Sequence, residues 1–78
     1  MTIEIFMPKA GAMMQEATIN KWLKREGEKV TEGEILIEIE AEKTTMEIES
    51  PVSGILSEIF VDDGDEAEVG TVLGLIEG

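Results

Sequence analysis

The segment Ile55-Leu56-Ser57-Glu58-Ile59-Phe60-Val61 is dominated by β-branched and aromatic residues, which suit a pleated, half-buried strand. It settles the reading of an earlier segment that is ambiguous on its own. Ile19, Trp22 and Leu23 have helix-like spacing, and Lys24-Arg25-Glu26-Gly27 could end a helix. An offset of 37 residues superimposes the two regions, pairing Gly27 with Gly64, Gly33 with Gly70 and Glu28 with Asp65. The same offset pairs Ile19 with Leu56, Trp22 with Ile59, Leu23 with Phe60, Ile35 with Val72, Leu36 with Leu73 and Ile39 with Ile76. Coincidence between two generic strand–turn–strand segments is the alternative, and the match of both glycine turns and their apolar flanks favours a structural duplication. If the copies share a fold, strand wins in both, and the uneven apolar spacing implies a bulge or strong twist.

Outward from this pair the strand signals are plainer. Ile35, Ile37 and Ile39 alternate with Glu38 and Glu40, and Met46 and Ile48 alternate with Glu47 and Glu49, the period-2 pattern of half-buried strands. Pro8, Pro51, Gly54 and the acidic glycine turns divide the chain into about eight short strands. The expected fold is all-β: a flattened barrel or sandwich of two four-stranded antiparallel sheets with pseudo-two-fold symmetry, a barrel-sandwich hybrid.

The 78 residues suffice for one domain, spanning 1–78. The chain contains no cysteine and no histidine, so disulfides, thiolate metal sites and the Ser-His or Cys-His arrangements are excluded. That favours a carrier or binding module over an enzyme with its own catalytic residues. With 18 acidic and 6 basic residues the net charge is −12, which repels phosphate backbones and anionic membranes. Neither nucleic acid nor membrane is an expected partner. At 42% hydrophobic, rich in Ile and regularly punctuated by Gly, the chain reads as folded rather than disordered. It shows no basic n-region followed by an apolar run and no apolar stretch of membrane-spanning length, so a soluble, intracellular, monomeric domain is the simplest expectation.

Between the two alternating segments lies Ala41-Glu42-Lys43-Thr44. A two-residue turn at Glu42 and Lys43 sets Ile39 opposite Met46 and Ile37 opposite Ile48, so the apolar rows face one way. A slip of one residue mixes the faces, whereas a slip of two keeps them sorted; each face-consistent register leaves Lys43 in or beside the turn. The repeat carries Ala41 forward by 37 onto Gly78, and Glu42 back by 37 onto Ile5, so the lysine hairpin is expected to be the pseudo-symmetric counterpart of the meeting point of the termini. An exposed turn lysine is ordinarily a solvated charge. This one is the only basic residue after Lys29 and lies amid Glu38, Glu40, Glu42, Glu47 and Glu49, which keep its amine protonated and unreactive, so covalent chemistry there needs an enzyme.

Glu40-Ala41-Glu42-Lys43-Thr44-Thr45-Met46-Glu47 resembles the lipoyl attachment motif, in which an acidic residue precedes the modified lysine. The resemblance continues through Met7-Pro8-Lys9-Ala10-Gly11, Glu16-Ala17-Thr18-Ile19 with Trp22, Glu26-Gly27-Glu28-Lys29-Val30 with Gly33, Ser50-Pro51-Val52-Ser53-Gly54 and Gly70-Thr71-Val72-Leu73. Glu42 replaces the more usual aspartate, Ala41 a common threonine and Ala17 an expected glycine; charge or small size is kept at each. Biotinyl domains place methionine on both sides of the lysine, so Glu42 and Thr44 favour lipoate over biotin. The resemblance implies a swinging-arm domain with lipoic acid amide-linked to Lys43, Glu42 and Thr44 contributing flanking recognition. It would carry acyl groups and electrons among a thiamine-dependent 2-oxo acid dehydrogenase, an acyltransferase core and dihydrolipoamide dehydrogenase, after loading by lipoate ligase or a lipoyl/octanoyl transferase. The opening Met-Pro-Lys pattern looks most like pyruvate- or acetoin-type complexes. Met1-Thr2 at the start is consistent with an N-terminal domain of a longer acyltransferase subunit, with a dehydrogenase subunit bearing such a domain or a free-standing carrier as alternatives, in the cytoplasm or, for a eukaryotic source, the mitochondrial matrix. A biotinyl carrier and an unmodified acidic interaction module are the alternatives.

Three further features carry expectations. The Lys9–Gln15 loop, with Gly11, Met13 and Met14, corresponds to a family loop that partners recognise; otherwise it is a surface loop with Met14 turned inward. Asp62-Asp63-Gly64-Asp65 lacks the alternating ligands and distal glutamate of a calcium loop and reads as a solvated turn. Trp22 is assigned to the core, because its repeat partner is Ile59, and Gly27 and Gly64 are assigned to turns with positive φ.

Overall fold

The computed structural model describes residues 1–9, 15–42 and 44–78. Among them the chain forms β1 (Thr2–Phe6), β2 (Glu16–Trp22), β3 (Lys29–Val30), β4 (Ile35–Ala41), β5 (Thr44–Glu49), β6 (Gly54–Ile59), β7 (Glu66–Glu68) and β8 (Val72–Glu77). They build two four-stranded sheets, in the orders β1-β8-β6-β3 and β5-β4-β2-β7, with each pairing antiparallel. Replacing β5 by β1, β4 by β8, β2 by β6 and β7 by β3 turns one sheet into the other, so the expected all-β fold and its pseudo-two-fold are present.

The bulge expected from uneven spacing occurs in both copies. The β2–β4 register shifts between Ile19 and Lys21, and the β6–β8 register between Leu56 and Glu58, 37 residues later. A carboxylate serves the backbone just beyond each bulge. Asp63 accepts from the Trp22 N–H at 2.8 Å, and Glu26 accepts from the Ile59 N–H at 2.8 Å, again 37 residues apart. Gly27 and Gly64 have φ of 93° and 89°, a conformation open to glycine at little steric cost. Their N–H groups donate to the carbonyls of Leu56 and Ile19, so each turn is tied to the opposite copy.

The core contains Ile19, Leu36, Ile37, Ile39, Leu56, Leu73 and Ile76, all fully buried. Full burial of one such side chain stabilises by roughly 1.5–3 kcal/mol. Simple alternation does not hold throughout β4. Its register against β5 shifts between Ile35 and Ile37, leaving Ile35 half-buried and both Leu36 and Ile37 inside. β8 repeats this pattern with Val72 half-buried and Leu73 and Gly74 inside.

Trp22 is buried, as its repeat position implied, and its indole N–H donates to the Val61 carbonyl at 2.6 Å. The two copies differ here in side-chain size. Trp22 pairs with Ile37, whereas Ile59 pairs with Gly74. The Trp22 ring reaches the space above Gly74, where a Cβ would stand 3.2 Å from Cη2 and 2.7 Å from the Glu58 carbonyl oxygen. A large residue in one copy thus occupies volume left by a small one in the other. Leu23 and Phe60, aligned as apolar by the repeat, both lie exposed just past their strands.

Candidate functional site

β4 and β5 pair as Ile37↔Ile48, Ile39↔Met46 and Ala41↔Thr44, which selects the two-residue turn from the registers left open by the sequence. Burial explains the choice. It places Ile37, Ile39 and Ile48 in the core and Met46 against it, while Glu40, Glu47 and Glu49 stay exposed. The chain therefore reverses between Ala41 and Thr44. Glu42 is exposed with φ 57°, the left-handed conformation that primed hairpin turns require at their first central residue. Thr44, on the other flank, is exposed as well. Lys43, and the loop residues Gly11, Met13 and Met14, lie outside the described residues. Their flanks Lys9 and Gln15 are exposed, and the Gln15 carbonyl accepts from the Val69 N–H at 2.9 Å.

The hairpin base has a counterpart at the termini. The Gly78 N–H donates to the Met1 carbonyl at 2.9 Å, and Thr2 pairs with Glu77, closing β1 on β8 as Thr44 and Ala41 close β5 on β4. Ala41 and Gly78 differ by 37, as the repeat requires. On the other strand the sequence reading needs correction. Ile5, which the 37-residue offset aligned with Glu42, is the structural equivalent of Ile48, because Ile5 pairs with Gly74 as Ile48 pairs with Ile37. Met1 is likewise the equivalent of Thr44, at an offset of 43. The hairpin and the termini are separate features on different sheets. The chain ends lie beside Ser53, while the hairpin extends the strand paired with β2.

The acidic turn at Asp62–Asp65 is bound up in the fold. Besides Asp63 on Trp22, the Asp65 carboxylate accepts from the Asp62 N–H at 3.1 Å. Among the described residues no group of three or more acidic side chains is arranged to hold a metal ion, and no helix is long and apolar enough to cross a membrane. Glu34 is the carboxyl held below the ordinary glutamate range. The Thr31 N–H, 3.0 Å away, is the main cause, and Lys24, also at 3.0 Å, adds to it. The sequence reading missed the carboxylate caps of the bulges, although Glu26 and Asp63 do align under the 37-residue offset.

The hairpin closes in two residues, is exposed on both flanks and is set in a duplicated β-sandwich. The Biotin-lipoyl family model, described as biotin-requiring enzyme, matches residues 3–76. The chain belongs to this family and is a lipoyl domain, whose cofactor is lipoate held covalently on a lysine. It is 47% identical over 77 residues to the succinyltransferase component of the 2-oxoglutarate dehydrogenase complex of Bartonella vinsonii, covering 99% of this chain and 19% of that protein. It is 41% identical over 73 residues to acetyltransferase component 4 of the chloroplastic pyruvate dehydrogenase complex of Arabidopsis thaliana, covering 94% and 15%. The lipoyl domain of the Azotobacter vinelandii 2-oxoglutarate dehydrogenase complex superimposes with TM-score 0.75 and 28% identity, over 95% of this chain and 96% of that one. Kluyveromyces lactis urea carboxylase gives TM-score 0.82 at 25% identity, over 99% of this chain and 6% of that one. The chain thus spans less than a fifth of the length of these curated relatives.

Proposed function

We propose that Lys43 is the lipoylated residue and that the domain shuttles acyl groups and reducing equivalents within a 2-oxo acid dehydrogenase complex, as part of a longer acyltransferase subunit. The observation carrying this reading is the Ala41↔Thr44 closure with Glu42 in the left-handed region and both flanks exposed. Such a turn offers its residues to a modifying enzyme without unfolding the sheet behind it. Glu42 and Thr44 serve as recognition flanks for a lipoate ligase or lipoyl/octanoyl transferase, and Gly11, Met13 and Met14 as the partner-recognition loop. When bound, lipoate supplies a dithiolane that is both acyl acceptor and two-electron carrier, while this chain's residues hold its attachment point on a rigid sheet. Tethering replaces diffusion of a free intermediate by a high local concentration at each partner: the thiamine-dependent dehydrogenase, the acyltransferase core and dihydrolipoamide dehydrogenase. The accompanying compartment is the cytoplasm, or the mitochondrial matrix in a eukaryotic source.

Two observations bear on the acyl group. The Met7-Pro8-Lys9-Ala10-Gly11 opening favours a pyruvate- or acetoin-type complex. The Bartonella, Rickettsia bellii and Bacillus subtilis relatives, 47%, 43% and 40% identical, are named for succinyl transfer in 2-oxoglutarate complexes. Incubation of the lipoylated chain with pyruvate dehydrogenase or 2-oxoglutarate dehydrogenase components decides between them by which one acylates it faster.

The attachment itself is tested by intact mass after incubation with lipoate ligase and lipoate, with biotin ligase and biotin as the parallel arm. Addition of one lipoyl group, lost in Lys43→Met, is the expected result. Biotin addition instead would make this a biotinyl carrier, the cofactor its family description also names. No addition by either enzyme would leave an unmodified acidic interaction module.

A further inference from the structure

β1 and β5 are each the outermost strand of their sheet, and both border an open groove of about 670 Å³. Its walls carry Glu4, Phe6 and Pro8 on one side and Glu47, Glu49 and Pro51 on the other. The pseudo-two-fold runs through it. The 43-residue offset that relates β1 to β5 pairs Glu4 with Glu47, Ile5 with Ile48 and Pro8 with Pro51. The side chains differ in kind at one of these paired positions: Phe6, 50% exposed, stands where the other half has Glu49. The groove is therefore polarised, with an exposed aromatic ring on one wall and a carboxylate at the equivalent position of the other. Ile35 and Met46, both half-buried, supply apolar lining, and the buried Ile5 and Ile48 form the floor's core side.

We propose that this groove binds an extended basic segment of a partner protein. An aliphatic or aromatic side chain of that segment rests on Phe6, and its Lys or Arg residues meet Glu4, Glu47 and Glu49. An outermost strand has an unpaired flank, so an extended chain can add to it through the backbone. Three carboxylates in the lining of a domain of net charge −12 attract a basic chain and repel an acidic one, a second copy of this domain included. An open trough with apolar lining and one exposed ring suits alternate side chains of a strand better than a small molecule, which is generally enclosed on most sides. The inference is independent of what Lys43 carries.

The test titrates the isotope-labelled full chain, by NMR, with acetyl-Lys-Leu-Lys-Leu-Lys-amide and with the equally charged acetyl-Lys-Ser-Lys-Ser-Lys-amide. Saturable shifts at the amides of Glu4, Phe6, Glu47 and Glu49 are expected, with the serine peptide at least about fivefold weaker. Phe6→Ser, a change at a half-exposed site, should bring the leucine peptide down to the serine peptide, and Glu4→Gln with Glu47→Gln should weaken both. Equal binding of the two peptides to the parent chain overturns the proposal without recourse to a variant. Shifts centred on the acidic turns at 26–28 and 62–65, indifference to Phe6→Ser, or concentration-dependent shifts at the groove without peptide, which would mark self-association, overturn it as well.

Discussion

Glu42 holds φ 57° although its side chain is neither glycine, asparagine nor aspartate, the residues that enter the left-handed region most easily. A non-glycine residue there costs of order 1 kcal/mol, compensated by the paired strands on either side. Glu42→Asn should therefore raise unfolding stability by about 0.5–1 kcal/mol, and Glu42→Val should lower it by at least as much. Urea denaturation of the three chains checks both signs; a loss of stability on changing to Asn would mean that the Glu42 side chain has a favourable role outweighing the strain. Glu34 offers a second test at this scale. Its carboxyl is held below its ordinary range by the Thr31 N–H and by Lys24, so its folded pKa is depressed relative to the unfolded chain. The stabilisation is complete above the unfolded pKa and is lost as pH falls through the lowered folded value. Glu34→Gln should accordingly bring the stabilities of variant and parent closer below pH ~4 than at neutrality, as measured by thermal melts across that range. A constant difference at all pH values would show that the carboxylate's charge is not what matters.

At the level of strands, the bulges in β2 and β6 show how far the pattern of residues can be read. The 37-residue offset made strand win over helix at Ile19–Leu23, and the structure places a register shift at the corresponding point in both copies. Apolar spacing reported the bulge because the extra residue moves the following side chain to the other face. It could not report what satisfies the backbone beyond it, since Asp63 and Glu26 reach Trp22 and Ile59 from turns 41 and 33 residues away. The turn holding Asp63 had read only as solvated. Asp63→Ala should cost about 1–3 kcal/mol by leaving the part-buried Trp22 N–H without its acceptor, while Asp63→Asn, which keeps an oxygen there, should cost less. Glu26→Ala should cost less than Asp63→Ala, because the Ile59 N–H it serves is more exposed to water. Chemical denaturation of the three variants gives the order, and equal losses for Ala and Asn at 63 would assign the effect to the side chain's bulk or charge instead.

For the molecule as a whole, the duplication explains both what was legible and what was not. The offset of 37 extends through β8, so the two sheets, most of the core and the meeting of Ala41 and Gly78 as equivalents could be seen in advance. It fails for β1, where the equivalence with β5 has an offset of 43, because the connection from β1 to β2 is longer than its counterpart from β5 to β6 and shifts the numbering between the copies. The polarised groove between β1 and β5 was hidden for the same reason. Its symmetry emerges only once the second offset is known. Charge is the remaining property that belongs to no single element. Glu38 and Glu47 are direct cross-strand neighbours, with Lys21 on the other side of Glu38, and the described salt bridge, Lys24 with Glu34, involves just one of the 18 acidic residues. Net self-repulsion at −12 should therefore outweigh the attraction that salt would weaken. Raising sodium chloride from low concentration to about 0.5 M shortens the screening length to well under 10 Å and should raise Tm by roughly 4–8 °C, equivalent to about 1 kcal/mol in a domain of this size. Thermal melts at low and high salt at neutral pH decide the matter: a Tm that falls with salt would show that attractive pairs, not the excess of carboxylates, dominate the electrostatics of the fold.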